Sequence, residues 1–163
     1  MINLVYKNLF LFLFLFLFLF LYSYPILFAE VNDLGKAQYL PLEAKFCLKE
    51  KNCIFLEVAE SREEQSKGLM YRKSMSSNSG MLFLLDKARI INIWMKNTFV
   101  PLDVIFLSNN KIVKIYENIQ PCKNKKCQEY SSIYKIDKII ELVSGTARKL
   151  SLKEGQILNI EDN

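Results

Sequence analysis

The stretch LDVIFLSNNKIVKIYENI, residues 102–119, contains two apolar runs that are separated by the tripeptide Ser-Asn-Asn. Asparagine adopts positive φ more readily than most residues, so Asn109 and Asn110 favour a tight turn. Two strand-length runs on either side of such a turn are typical of a β-hairpin. The sequence therefore predicts that residues 103–107 and 111–119 pair as antiparallel strands.

Further strands are predicted on both sides of this hairpin. Short apolar runs bounded by polar or turn-forming residues are typical of buried strands. They occur at residues 53–59, 81–85, 90–96 and 137–143, and a final strand is expected after a turn at Gly155. The chain is thus expected to contain about six short strands.

Two short helices are predicted from their capping residues. Ser61, followed three residues later by Glu64, has the pattern of a capping box, so a helix is expected from Ser61 to Arg72. A second helix is expected over SGTARKLSL, with Ser144 or Thr146 as its cap. Together with the strands, these helices predict an α+β fold: a single small domain that is mainly antiparallel β.

The first 29 residues differ in composition from the rest of the chain. A single cation, Lys7, precedes an unbroken run of Leu and Phe over residues 9–21, and the segment then ends at Ala29. This order of a basic residue, an apolar core and a small residue is typical of a secretory signal peptide cleaved before Glu30. Residues 1–29 are therefore predicted to be a signal peptide.

An uncleaved membrane anchor is the alternative, because a helix over residues 9–28 is long enough to cross a bilayer. Pro25 and Ser23 interrupt that run, which favours cleavage. In both cases the remainder is exported to a periplasmic or other extracytoplasmic compartment, and the membrane is contacted only through an uncleaved segment. That remainder divides into a lead-in segment, residues 30–52, and the domain, residues 53–163.

Charge and motifs exclude several classes of protein. The net charge of +5 falls to +4 once Lys7 is removed, and acidic residues are interspersed with the basic ones, so no nucleic-acid partner is predicted. The chain has no histidine, and it lacks the GxSxG, P-loop, GxGxxG and HExxH motifs. Whether the protein is an enzyme stays open, and its catalytic residues are unknown.

The four cysteines form two pairs that are local in sequence. Exported proteins commonly use cysteine pairs as disulfides, so Cys47, Cys53, Cys122 and Cys127 are predicted to be oxidised. Three connectivities are compatible with the sequence, and a bond between Cys122 and Cys127 is expected. Free thiols and a metal site are the rivals, but the missing histidine and the cationic KNKK segment argue against metal. No metal or other cofactor is predicted.

Four sequence blocks resemble the DUF192 family, also called UPF0127. They are GLM at residues 68–70, GMLF at 80–83, WMKNT-x-x-PLD at 94–103, and the EL-x-x-GTA-like block with its later EGQ turn at 141–156. The blocks occur in the family's order, and the resemblance covers about residues 54–160. Lys67 stands where the family often has arginine, and the Cys pair after Pro121 is an addition. The resemblance implies a fold and a site, but no assigned biochemical role.

The WMKNT-x-x-PLD block is predicted to form a cleft together with the end of the GLM helix. Alternation along a strand places Trp94 and Lys96 on the face opposite Met95 and its aliphatic neighbours, so Trp94 faces a semi-polar surface. The candidate ligand-binding residues are Trp94, Lys96, Asn97, Thr98, Asp103 and Met70. Asp103, just after Pro101, is expected to brace the connection rather than to act in catalysis.

The leading hypothesis is therefore an exported domain that binds a small-molecule ligand or an envelope protein. One alternative is an enzyme of unknown reaction in which Lys96 and Asp103 are the titrating pair. The other is a copper-handling protein that uses Met70, Met81 and Met95, because thioethers are ligands for Cu(I). Methionine as a gap-filler of the core is the simpler interpretation of these three residues.

Overall fold

The computed structural model describes residues 35–48, 52–124 and 126–163. The predicted signal peptide, residues 1–29, and residues 30–34 and 49–51 of the lead-in lie outside the described part. The chain divides into two units, 1–36 and 37–163, and the described strands and helices all belong to the second unit. No helix among the described residues is both long enough and apolar enough to cross a membrane.

The second unit is built mainly from β-strands. In chain order its elements are β1 (Leu42–Cys47), β2 (Cys53–Ala59), α1 (Arg62–Lys67), β3 (Ser79–Arg89), β4 (Asn92–Trp94), β5 (Leu102–Ser108), β6 (Lys111–Ile119), β7 (Glu129–Ser131), β8 (Ile136–Val143), α2 (Thr146–Lys149) and β9 (Ile160–Asp162). Seven strands form one sheet in the order β6-β5-β8-β3-β2-β1-β9, and β4 pairs with β7 in a second sheet. Only β2 and β3 pair in parallel among the described strands. The α+β class is confirmed, but the described residues contain nine strands rather than six.

The predicted hairpin is formed by β5 and β6. Ser108 lies opposite Lys111, and the two residues between them, Asn109 and Asn110, have φ angles of 50° and 63°. Positive φ at both central positions matches the right-handed twist of the flanking strands. The asparagine pair therefore sets the turn, as the sequence predicts.

Helix α1 begins at the predicted cap. The Ser61 hydroxyl accepts a hydrogen bond from the Glu64 backbone N–H at 3.2 Å, and the Glu64 carboxylate accepts one from the Ser61 N–H at 2.9 Å. The helix ends at Lys67, five residues earlier than predicted. Gly68 follows with a φ of 46°, which a helix cannot accommodate. The capping box is thus confirmed, and the predicted end at Arg72 is wrong.

Helix α2 is shorter than predicted and is capped differently. Its N-cap is Gly145, and neither Ser144 nor Thr146 provides a capping hydrogen bond. The acceptor is instead the Asp103 carboxylate, whose Oδ2 accepts from the Ala147 backbone N–H at 2.9 Å. The predicted cap is wrong because the capping group is a tertiary contact from β5.

Strands β1 and β7 were not predicted, and the predicted final strand, β9, begins later than expected. In β1, Ala44 and Phe46 are buried while their neighbours alternate outwards, and the strand lies between β2 and β9. Ala44 is opposite Asp162 of β9, and Cys47 is opposite Cys53 of β2, to which it is disulfide-bonded. The C-terminal part of the segment expected to be a lead-in is therefore a strand of the main sheet.

The main sheet has two buried faces. Met81 of β3 lies opposite Glu141 of β8, and Glu141 lies opposite Val104 of β5, so these three side chains share one face, called the first face. Leu82 and Ile140 belong to the second face, against which α2 packs its buried residues. The candidate site lies on the first face.

Candidate functional site

A groove of about 370 Å³ lies on the first face, beside the end of α1 and strand β4. All four sequence blocks contribute to its lining. These contributions are Gly68, Leu69 and Met70 from the first block, Phe83 from the second, Trp94, Met95, Thr98 and Leu102 from the third, and Glu141 from the fourth. It is called the Trp94 groove below.

One wall of the groove is the crossover between β2 and β3. Because these strands are parallel, the chain must cross the sheet between them, and α1 with the turn after it forms this crossover. At Gly68 a Cβ atom would lie 3.3 Å from the Phe83 ring, so the glycine lets the turn pack closely on β3. The crossover therefore places Leu69 and Met70 over the first face.

Asn97 joins this wall to the opposite wall of the groove, which the WMKNT-x-x-PLD block forms. The Tyr71 backbone N–H donates to the Asn97 carbonyl at 2.8 Å, and the Asn97 side-chain amide donates to the Tyr71 hydroxyl, also at 2.8 Å. Both residues have positive φ, 66° for Tyr71 and 57° for Asn97. Asn97 is not among the lining residues, and its contacts hold the walls of the groove in place.

A buried ion pair fixes the far side of the crossover. Both Nη atoms of Arg72 lie 2.6 Å from the Glu57 carboxylate oxygens, and Arg72 also donates to the Gln38 carbonyl. The Gln38 side chain in turn donates to the carbonyls of Glu64 and Gly68. Arg72, Glu57 and Gln38 therefore tie the segment before β1 to the end of α1.

Trp94 and Lys96 have the arrangement that alternation predicts. Trp94 is 49% exposed at the edge of the groove, whereas Met95 is 2% exposed and belongs to the core. The Lys96 ammonium lies 5.3 Å from the centroid of the Trp94 ring, a cation–π contact. Lys96 itself is not among the lining residues, so it stands beside the groove and next to its aromatic wall.

The other predicted site residues divide between groove and core. Met70 and Thr98 line the groove, and Thr98 is buried. Asp103 is fully buried, and its Oδ1 accepts from the Asn118 backbone N–H at 2.8 Å while Oδ2 accepts from Ala147. Asp103 lies away from the groove lining. Its two contacts are with the backbone of β6 and of α2, and not with the connection after Pro101 that it was expected to brace.

The structure does not bring together the residues of the two alternative hypotheses, the enzyme and the copper-handling protein. No ion pair or hydrogen bond links Lys96 to Asp103, although the structure describes both residues. Met81 is fully buried in the core, whereas Met70 and Met95 line the groove. Within the described part of the chain, no group of three or more His, Cys, Asp or Glu residues is placed to hold a metal ion.

Glu141 is a groove residue that the sequence interpretation did not select. Its side chain is partly buried among apolar lining residues, and burial raises the pKa of its carboxyl to about 7, although the positive charge of Arg72 acts in the opposite direction. No hydrogen bond to its carboxylate is found within the described residues. A signal for it existed, because an acid in the middle of the apolar strand KIIELV is unusual.

The disulfides agree with the expectation of oxidised cysteines. Cys47 is bonded to Cys53, and Cys122 is bonded to Cys127. The second bond closes a loop next to the groove, since the Cys122 backbone N–H donates to the Met95 carbonyl at 3.2 Å. Both bonds fit a protein that folds in an oxidising compartment.

Comparisons with known proteins agree on the family and the fold. The family model of DUF192, described as Uncharacterized ACR, matches residues 45–160. A solved structure of a "putative transcription regulator" from Sinorhizobium meliloti 1021 is 28% identical, with a TM-score of 0.65, covering 78% of this chain and 98% of that one. A protein of unknown function from Novosphingobium aromaticivorans DSM 12444 is 24% identical, with a TM-score of 0.64 and coverages of 79% and 94%, and this likeness concerns the fold alone. No curated protein matches the chain significantly.

Proposed function

This chain belongs to the DUF192 family, and from that membership and the Trp94 groove we propose that it is an exported protein that binds a small-molecule ligand. The observation that carries the proposal is the convergence of all four sequence blocks on one groove. Blocks that served only the core would have no reason to line the same cavity. Their convergence is explained if the groove is the working part of the domain.

The chemistry of the groove is typical of small-molecule sites. Such sites are concave and mostly apolar, with a few polar groups that orient the ligand. Phe83 and Leu69 offer an apolar floor, and the half-exposed ring of Trp94 offers a flat wall. Thr98 and Glu141 add a hydroxyl and a carboxyl. In this proposal Lys96 sets the charge at the edge and Asn97 holds the walls of the groove, while Asp103 fixes β6 and α2 away from it.

Export forms the second part of the proposal. It is supported by the resemblance of residues 1–29 to a signal peptide and by the two disulfides. Mass spectrometry of the protein from its native source is expected to find a chain that starts at Glu30. An intact Met1 in the membrane fraction would favour the anchored alternative.

Ligand binding is tested by thermal-shift measurements with fractionated small-molecule extracts. A fraction that contains the ligand raises the melting temperature of the wild-type protein, because a ligand that binds only the folded state stabilises it. The Trp94→Ala variant is expected to lose this response. Phe99→Ala is the matched control, since Phe99 is also exposed, at 55%, but does not line the groove.

Two results would contradict the proposal. One is a response that Trp94→Ala and wild type share equally, which would place binding elsewhere. The other is the absence of any response across extracts from cells that express the protein.

A further inference from the structure

The acidic side chains of Glu57, Asp103 and Glu141 are buried or partly buried in the domain. In two of these three, both carboxylate oxygens accept hydrogen bonds. Glu57 meets both Nη atoms of Arg72 and also accepts from the Leu40 backbone N–H at 2.6 Å. Asp103 accepts from two backbone N–H groups, one for each oxygen. The third, Glu141, has no hydrogen-bond donor among the described residues.

Arg72, whose positive charge acts on Glu141, already uses its donors on other groups. Arg72 uses Nη1 and Nη2 on Glu57, and it uses Nε and Nη2 on the Gln38 carbonyl. Its side chain is 4% exposed and so is fixed within this network. Arg72 therefore acts on Glu141 only through its charge.

The side chains beside Glu141 on the two neighbouring strands provide no donor. Its register partners on the two neighbouring strands are Met81 and Val104, both fully buried, and Phe83 and Ile139 line the groove near it. A carboxylate among apolar groups lacks the hydrogen bonds that water would give it, which is unfavourable. The open side of Glu141 is the groove.

We propose that the ligand of the Trp94 groove is a compact organic amine, whose ammonium group pairs with the Glu141 carboxylate while its apolar body lies against Phe83 and Trp94. This inference rests on the proposed function, that the groove binds a small molecule. An ammonium group supplies both the charge and the N–H donors that the carboxylate lacks, and charge-assisted hydrogen bonds are roughly twice as strong as neutral ones.

The other charged groups around the groove are compatible with this class of ligand. Glu141 is the sole acid among the described lining residues, so the site for a cation is unambiguous. Lys67 and Arg89 line the groove, Lys96 stands beside it, and Arg72 acts on Glu141 through its charge. The charge of Arg72 is matched by Glu57, and that of Arg89 is matched by Asp86.

Three probes of similar shape and different charge test the inference: 2-phenylethylamine, 2-phenylethanol and 3-phenylpropionate. Each is titrated into protein purified from cells that express the full chain, with the emission of Trp94, the sole tryptophan, as the readout. At about pH 8.5, where the carboxylate is ionised, the amine is expected to bind at least about tenfold more tightly than the alcohol. This preference is expected to shrink at about pH 5.5, where the carboxyl is protonated.

The variant Glu141→Gln keeps the shape of the side chain and removes its charge. It is expected to abolish the preference for the amine, while Glu63→Gln, which removes an exposed acid of α1, leaves it intact. The comparison of the three probes on wild-type protein needs no variant, so it decides the question even if Glu141→Gln folds poorly.

The outcomes separate this inference from the proposed function. If the alcohol or the carboxylate binds as tightly as the amine, the ligand class is wrong, and the groove remains a binding site. If the amine preference survives in Glu141→Gln, another group recognises the charge and the inference fails. If none of the three probes binds, the inference fails, and the thermal-shift test with extracts then decides the proposed function by itself.

Discussion

Asp103 and Glu141 lie on adjacent strands, β5 and β8, and each is an acid in an otherwise apolar run. Asp103 is opposite Leu142, the residue next to Glu141, yet the two carboxyls have different surroundings. Asp103 is held by two backbone N–H groups, whereas Glu141 faces the Trp94 groove without a donor in the described part. The first acid is explained by the fold alone. The second is unfavourable for stability, and the proposed amine ligand of the groove would account for its position.

The largest effect is expected when a paired acid is turned into an unpaired one. Arg72→Met removes the partner of Glu57 and leaves a buried charge, which costs roughly 3–5 kcal/mol of unfolding free energy. Chemical denaturation with urea measures this loss. The double variant Glu57→Gln with Arg72→Met is the control and is expected to recover part of it, because no buried charge remains. Equal losses in both variants would show that packing, rather than charge, dominates.

Variants of Asp103 test whether this acid serves the stability of the fold. Asp103→Ala leaves the N–H groups of Asn118 and Ala147 without acceptors, and an unsatisfied buried donor costs about 1–3 kcal/mol. Asp103→Asn keeps one acceptor oxygen and is expected to lose about half as much. Thermal and urea unfolding measure both variants, with the exposed Asp162→Ala as the control. An Asp103→Ala protein that is stable but does not bind ligand would reverse the roles of Asp103 and Glu141.

The pH dependence of stability in Glu141→Gln tests whether the ionised carboxyl of Glu141 destabilises the fold. The pKa of Glu141 is raised from 4.5 to about 7 by burial, so the folded protein binds a proton that the unfolded chain releases between these pH values. Stability of the wild type therefore falls as the pH rises through this window. Without ligand, Glu141→Gln is expected to be more stable than wild type above pH 7, by up to about 3 kcal/mol, since one pKa unit corresponds to about 1.4 kcal/mol.

The difference between Glu141→Gln and wild type should vanish below the unfolded pKa of 4.5, where both forms are neutral. Unfolding free energies measured at several pH values check this, with Glu63→Gln as a control in which an exposed charge is removed. A constant difference at all pH values would mean that the carboxyl of Glu141 does not titrate differently in the folded state.

The smallest effect on stability is expected at Lys96. Its ammonium is exposed beside the Trp94 ring, and surface substitutions usually change stability by no more than about 0.5 kcal/mol. Lys96→Ala should therefore melt close to wild type while changing the ligand response of the groove. Paired melting and binding assays measure both quantities. If Lys96→Ala melts at a clearly lower temperature than wild type, Lys96 has a structural role, as Asp103 does, rather than a role at the edge of the groove.

The sequence was sufficient to predict the elements whose geometry depends on residues close together in the chain. The capping box of Ser61 and Glu64 and the turn at Asn109 and Asn110 involve residues that are close in the chain, so their geometry follows from composition. Strands β7 and β9 have three residues each, too few to show a period. In β1, charged residues and Ala44 dilute an alternation that is nevertheless present.

The parts of the site that could not be predicted are those that depend on tertiary contacts. The cap of α2 comes from Asp103, 44 residues away, so no local pattern reveals it. Trp94, Met70 and Thr98 were selected from the blocks and do line the groove. Glu141 was overlooked because an acid within a strand is ordinarily exposed, and only the register of β8 with its neighbours places it inside.

The pairing of β1 with β9 brings residue 44 next to residue 162, and β1 is the sole partner of β9 among the described strands. This edge of the main sheet is therefore completed only after residue 162 has been synthesised. Sheets with such distant pairings fold slowly, typically in milliseconds to seconds. For a chain proposed to cross a membrane, slow closure of the sheet would favour translocation before the stable domain forms.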